Sequence, residues 1–369
     1  MEKRNRRIKK LITNVNLITP INQLGYGVAG TNIALSLSDI CDLSLWNIGN
    51  IDCPKEVHER LSDCARNAIK PDFEAPCIRI WHQHDMSQFV GKGEHIGYPI
   101  FELDRFNEIE MHHLSSLDHI FVCSHWAKNI VEENFNRHSC PPVSVIPLGV
   151  DRSIFSETLN VTEKTIFLNI GKWEIRKGHD ILIEAFNSAF SKEDNVELWM
   201  MCSNPFFSPE ENLKWESLYK SSKLGDKIKL IPRKETQKEV YSIMASADCG
   251  VFPSRAEGWN LELLEMMSCG KSVIATDYSA HTEFCNRKNC KLIHIDELEE
   301  ANDGIWFKGQ GKWASINNNA MGQLIEHMQS IHCSKKSGNE VSNKAGIETA
   351  KHFSWKNTAK RIINAISTK

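Results

Sequence analysis

Strand-like and helix-like runs alternate along almost the whole chain, which predicts an α/β protein built on parallel sheets. A glycine loop follows the first strand-like run and leads into a helix, the arrangement that puts backbone N–H groups at the carboxyl end of a strand. A length of 369 residues predicts two domains rather than one. Hydrophobic residues at 41% and charged residues at 25% are enough for two cores with a solvated surface.

The formal net charge of -3 gives no whole-protein attraction to nucleic acid. No run of about 20 apolar residues is present, so no transmembrane helix is expected. The chain begins MEKRNRRIKK, without an apolar signal core, and secretion is not expected. The 12 cysteines are irregularly spaced and none forms C-x-x-C, which predicts buried free thiols and a cytoplasmic setting. The basic run Lys3, Arg4, Arg6, Arg7, Lys9, Lys10 ordinarily makes a solvated tail; it also offers a peripheral contact to anionic lipid or an acidic acceptor.

In chain order, residues 8–17 read as a first strand and residues 29–37 as a helix. Between them Gly25, Gly27 and Gly30 make a G-x-G-x-x-G. That pattern alone is weak. A dinucleotide site would also need an acidic residue ending a second strand about 20 residues on, and none is clean here. Residues 77–81 read as a buried strand that ends in His82-Gln83-His84-Asp85. A metal reading of the two histidines lacks a third ligand at any recognisable spacing. Glu102 and Asp104 read as an acceptor-side pair or a structural turn. Residues 111–117 read as a short helix and 118–124 as a strand. A helix over 126–135 is capped by Ser124, and a strand follows over 143–150.

Residues 165–170 read as a strand, followed by Gly171-Lys172-Trp173-Glu174-Ile175-Arg176-Lys177-Gly178 and an amphipathic helix. Basic residues in a glycine-bounded loop before a helix suit a diphosphate. Strands are expected over 196–202 and 228–231, with helices over 210–222 and 238–246. The region 295–313 reads as loop-rich, 333–343 as polar and mobile, and Phe353-Ser354-Trp355 heads a last helix to about residue 366.

The densest stretch runs from Val251 to Gly270, VFPSRAEGWNLELLEMMSCG. Gly258 permits a tight turn. Asn260 is a good N-cap for a helix over 261–269, and Gly270 a natural C′ residue. Free N–H groups at that helix start make a ready anion site. Glu257 and Glu265 flank it with seven residues between them. At 1.5 Å per helical residue they stand up to roughly 12 Å apart. A retaining glycosidase needs its carboxylates about 5.5 Å apart, so the pair is a poor hydrolytic dyad and better suited to gripping two ends of an extended ligand.

The order P-S-R-x-E-G-W-N-L-x-x-x-E-x-M-x-x-G-K, followed by V-I-A-T-D-Y, resembles the donor-site signature of glycosyltransferase family 4. These are retaining enzymes that use nucleotide sugars. The resemblance is dense from Gly171 to Asp277 and thin before Leu103. It implies the GT-B fold, two Rossmann-like doubly wound domains facing a cleft. The expected units are residues 1–153 on the acceptor side, 154–345 on the donor side, and 346–369 as a helix crossing back to the first domain.

The resemblance also implies roles. Glu265 would bind the ribose hydroxyls, and Glu257 the transferred sugar. Backbone groups of Gly258, Trp259, Asn260 and Leu261 would hold phosphate and sugar hydroxyls. Lys172 and Lys177 would face the diphosphate. Family members usually have arginine at the position of Lys172, and lysine lacks the bidentate fork. Gly25 and Gly27 would approach the diphosphate from across the cleft, Arg233 the nucleobase. Of the two histidines, His84 best matches the one that nears the sugar. No metal and no separate cofactor are implied: the partners are a UDP- or GDP-sugar donor and a hydroxyl of a glycan, lipid or other acceptor. Two alternatives from other classes are a catalytically silent nucleotide-sugar or glycan-binding protein on the same fold and an NAD-dependent oxidoreductase.

Overall fold

The computed structural model describes residues 14–136, 139–339 and 342–367. The basic N-terminal run lies outside them. The first domain comprises β1 (Asn14–Thr19), α1 (Gly25–Ser38), β2 (Asp42–Asn47), α2 (Lys55–Asn67), β3 (Cys77–Arg79), β4 (His95–Gly97), α3 (Glu108–Ser115), β5 (His119–Val122), α4 (His125–Asn134) and β6 (Val143–Val145). Its six strands lie in the order β2-β1-β3-β4-β5-β6, and all pair in parallel. Parallel strands need crossover helices on the sheet faces, so the strands are apolar on both sides. Leu17, Ile78, Ile96 and Phe121 are accordingly fully buried.

The second domain comprises β7 (Thr165–Gly171), α5 (His179–Ala189), β8 (Val196–Cys202), α6 (Pro209–Lys220), β9 (Ile228–Leu230), α7 (Gln237–Ala245), β10 (Cys249–Phe252), α8 (Leu261–Ser268), β11 (Ser272–Thr276) and β12 (Lys291–Ile293). The order β12-β11-β10-β7-β8-β9 is the six-strand dinucleotide-fold order, again all parallel. Each sheet reverses its winding once, between β1 and β3 in the first and between β7 and β10 in the second. In open α/β sheets ligands bind at that reversal, beyond the carboxyl ends of the strands. The loops that leave β1, β3, β7 and β10 hold the glycine loop, the histidines, the basic loop and the Glu257 turn.

Several expectations need correction. The first helix begins at Gly25, four residues before the expected start, because the glycine loop is itself its first turn. The region 295–313 carries an antiparallel hairpin, β13 (Leu298–Asn302) and β14 (Lys308–Ala314), whose polar sequence hid it. Helix α9 (Asn318–Lys336) extends into the stretch expected to be mobile. The strand expected over 143–150 ends at Val145.

The return to the first domain also starts later than residue 346. Helix α10 (Lys344–His352) packs on α8 in the second domain. The crossing comes at Phe353-Ser354-Trp355. Phe353 packs against the rings of Trp259 and Phe284, while the Val150 N–H donates to the Phe353 carbonyl at 2.9 Å. Ser354 then caps α11 (Trp355–Ile366), whose buried Ala359, Ile362 and Ile366 pack on α1.

Gly30 lets α1 lie against the end of β1. An added Cβ there would meet Thr19 Oγ1 at 2.1 Å and the Pro20 carbonyl at 2.4 Å. Gly30→Ala is therefore expected to cost about 1–3 kcal/mol. Urea unfolding checks this: the midpoint should fall with the slope unchanged.

Candidate functional site

A cavity of about 610 Å³ opens between the domains, within the range of small-molecule sites. Its walls include Gly25, His82 and Glu102 from the first domain and Lys172, Lys177, Arg233, Glu257 and Glu265 from the second. Gly258, Trp259, Asn260 and Leu261 complete the wall at the start of α8. The domains meet around it. Arg233 Nη2 donates to the Gln23 carbonyl at 2.8 Å, and the His125 N–H donates to Glu283 Oε2 at 2.8 Å. The hairpin bonds the first domain through Gln310 Nε2 to Glu110 Oε2 (2.6 Å) and the Lys312 N–H to Asp104 Oδ1 (2.7 Å). At Gly258 the approach is close: a Cβ would lie 2.6 Å from Ile100 Cγ2.

Glu257 is the hub of the buried charges. Its Oε1 accepts from Lys177 Nζ at 2.9 Å and from Ser254 Oγ at 2.8 Å, and its Oε2 from Arg176 Nη1 at 2.9 Å. Burial alone would raise this carboxyl, but the Lys177 and Arg176 cations outweigh it and hold it well below the usual carboxylate range. Arg176 also donates from Nη2 to Glu174 Oε2 at 2.7 Å and from Nη1 to the Ala256 carbonyl at 2.7 Å. Lys172 Nζ stands 2.8 Å from Glu174 Oε1. Lys172, Arg176 and Lys177 thus alternate with Glu174 and Glu257 in one network. Removing one member of such a buried network strands its partner.

Glu265 is a different kind of acid. It is buried in the second turn of α8, and no hydrogen bond or ion pair among the described residues reaches its carboxylate. Burial, and then the neighbouring Glu262 charge, push its carboxyl well above the usual range. It faces the cavity. A buried acid on a cavity wall with lone pairs unfilled is poised to accept from a ligand's hydroxyls.

Asn260 starts α8 in the left-handed region at φ 84°, which asparagine tolerates better than most residues. Its Oδ1 accepts from the Leu263 N–H at 3.1 Å, and its Nδ2 lies 2.9 Å from His281 Nε2. His281 is itself buried, and Nδ1 sits 3.0 Å from the Thr276 carbonyl. Burial lowers the His281 pKa, so the neutral ring donates from Nδ1 and accepts from Asn260. That support fixes the orientation of the free N–H groups at the start of α8. Helix α1 presents a second such end: its N-cap, Leu24, makes no side-chain cap bond, and Gly25 has open space where a Cβ would be.

Some expected residues fall elsewhere. His82, not His84, lines the cavity; His84 is exposed and stacks on His82 with ring centroids 5.2 Å apart. The chain turns back after the strand: the Asp85 N–H donates to the His82 carbonyl, and Asp85 pairs with the buried Arg79 at 2.9 Å. That turn carries His84 outward. Burial, then the neighbouring His84 and Lys172, lower the His82 pKa to about 4, so it is neutral at physiological pH. Gly27 does not line the cavity but packs on Asn22, whose Oδ1 would lie 2.1 Å from a Cβ. The Trp259 indole points into the core against Phe284 and Phe353, with Nε1 unpartnered. β2 ends at Asn47, where an NAD site would need an acid.

The residues whose place in the site the sequence did not assign are Arg176, Glu174, Glu102 and His281. The first two stood in the basic loop and were readable as charge. Glu102 had been read only as part of an acceptor-side pair or a turn, and His281 carried no local signal, because their partners lie in distant parts of the chain.

Residues 150–305 match the family described as Glycosyl transferases group 1. An uncharacterized glycosyltransferase of Methanocaldococcus jannaschii is 30% identical over 159 residues, 43% of this chain and 40% of that protein. The match therefore spans about two fifths of that relative's length. Among solved structures, sucrose-phosphate synthase from Thermosynechococcus elongatus superposes with a TM-score of 0.69 at 16% identity, covering 96% of this chain and 98% of that one. Anabaena HepE in complex with UDP-glucose gives 0.67 at 14%, covering 96% and 100%. At these identities the likeness is one of fold. Residues 150–305 thus match the glycosyl transferases group 1 family, within a chain that has the two-domain GT-B fold.

Proposed function

We propose that the chain is a retaining glycosyltransferase that moves a sugar from a UDP- or GDP-sugar to a hydroxyl of a glycan, lipid or other acceptor. The observation that carries this reading is Glu265, a buried carboxyl without a hydrogen-bond or ion-pair partner among the described residues, on the cavity wall beside the Glu257–Lys177–Arg176 network. Glu265 accepts from the ribose hydroxyls. The start of α8, with Lys177 and Lys172, faces the diphosphate. Lys177 spends one of its three donors on Glu257 and has two for phosphate oxygens. These groups supply positive charge to the leaving diphosphate, so the reading calls for no metal ion. Glu257 receives a sugar hydroxyl, and His82 takes the place on the facing wall that the sequence assigned to His84.

In the reaction the bond from the anomeric carbon to the diphosphate oxygen breaks, and negative charge gathers on the leaving group. Preorganised donors are strongest in stabilising such developing charge. The acceptor oxygen forms its bond on the same face, and its proton passes to the departing phosphate. The free state of all 12 cysteines supports action in a reducing compartment such as the cytoplasm. Among the described residues no helix is long and apolar enough to cross a membrane. The basic N-terminus would supply any contact with a membrane surface.

Thermal melts with UDP, GDP and ADP test the reading. One of them at about 100 times its Kd should add about 2.7 kcal/mol of stability, a rise of several degrees. Turnover of the matching nucleotide sugar should follow. No shift with any of the three contradicts the reading; a shift without turnover leaves binding and removes transfer.

A further inference from the structure

We propose that Trp306 and Phe206 form a stacking shelf for a pyranose ring of a carbohydrate acceptor, which makes the acceptor a glycan or glycoside. This rests on the proposed transferase reading and names its second substrate class. Both side chains line the cavity, and they are 50% and 57% exposed. Large aromatic rings left open on a cavity wall mark binding surfaces. Their centroids stand 6.1 Å apart with planes at 75°, so they form two walls of a corner.

The turn that carries Trp306 is tied down. Trp306 sits in the turn of the β13–β14 hairpin. The Asp303 Oδ1 accepts from the N–H groups of Ile305, Trp306 and Phe307 at 2.9, 2.8 and 2.9 Å. The Asp303 N–H donates to the Phe307 carbonyl at 3.0 Å, and the Phe307 ring packs against the buried Trp313. The same hairpin is bonded to the first domain through Gln310 and Lys312. A turn held in advance lowers the cost of ordering the ring it carries.

The neighbours select the ligand. Lys172 Nζ lies 5.3 Å from the Phe206 centroid and 2.8 Å from Glu174. Glu102 and His82, from the first domain, line the same cavity. A pyranose has an apolar C–H face and a rim of hydroxyls, which matches aromatic rings bordered by charged hydrogen-bonding groups. A nucleobase also stacks, but the network runs from Phe206 through Lys172, Glu174 and Arg176 to Glu257, the acid facing the sugar. Glu265 and Arg233, on α8 and after β9, belong to the nucleotide.

Saturation-transfer NMR on the full chain tests this with methyl α-D-glucopyranoside, methyl α-D-mannopyranoside and methyl α-D-galactopyranoside, each with and without UDP or GDP. At least one glycoside should receive saturation at its ring C–H protons. Trp306→Ala should weaken its binding about tenfold, and Trp306→Phe should restore most of it. UDP or GDP affinity in Trp306→Ala should stay within about twofold of the wild type. Absence of any glycoside signal, or an unchanged signal in Trp306→Ala, overturns the shelf. So does a tenfold loss of nucleotide affinity with glycoside binding intact, which would make it a base platform. Failure of UDP and GDP to bind the wild type counts against the transferase reading instead, and the glycoside arm without nucleotide is read separately.

Discussion

Glu257→Gln is expected to cut turnover by about 10²-fold or more while lowering nucleoside-diphosphate affinity far less. The substitution keeps the side-chain volume and one acceptor oxygen, so Lys177 or Arg176 still finds a partner. It removes the negative charge that orients both cations and that, in the proposed reading, meets the sugar. Glu257→Ala does something different. It leaves two buried cations facing a gap, and breaking a buried pair in this way costs about 3–5 kcal/mol. The alanine variant should therefore lose stability as well as activity, and the glutamine variant chiefly activity. Product formation and thermal melts on the two variants separate these effects. Wild-type turnover in Glu257→Gln would remove Glu257 from the chemistry.

Glu265→Gln is expected to weaken UDP or GDP binding by about 10- to 100-fold, the range for hydrogen bonds to a charged group. It should also change the pH dependence of both binding and folding. The folded-state pKa of Glu265 is raised above its unfolded value by burial and by Glu262. The stability it contributes is therefore fully present below the unfolded pKa of about 4.3 and is lost as pH rises through the folded value. The free protein should gain stability from Glu265→Gln at neutral to alkaline pH. In the proposed reading ribose hydroxyls donate to the ionised carboxylate, so nucleotide binding should release a proton from this site and tighten as pH rises. Titration calorimetry in two buffers of different ionisation enthalpy reads that proton directly. Release of the same proton by Glu265→Gln, or equal affinity in the two proteins, would show that the ribose lies elsewhere.

How much of this was legible in the sequence depended on how local each signal was. The α8 start was fully readable: a strand, Gly258, Asn260 as cap and Gly270 at C′ follow one another, and Gly270 indeed takes φ 74°. Buried strands such as β7 and β8 were readable because both faces are apolar. The β13–β14 hairpin was not, since its strands, LEEAN and KGQGKWA, are polar and gain their places from contacts with Arg255 and the first domain. His82 and His84 were separable only through the turn that Asp85 makes back to Arg79. Arg176 looked like one more cation in a basic loop. Its role as the bridge between Glu174 and Glu257 depends on β7 and β10 being neighbours in the sheet.

A crystal structure of the chain with UDP or GDP tests the central claim most directly. The account predicts the diphosphate against the N–H groups at the start of α8 and beside Lys177, with the ribose hydroxyls within hydrogen-bonding distance of Glu265. A nucleotide bound outside the interdomain cavity, with Glu265 still unpartnered, would contradict it.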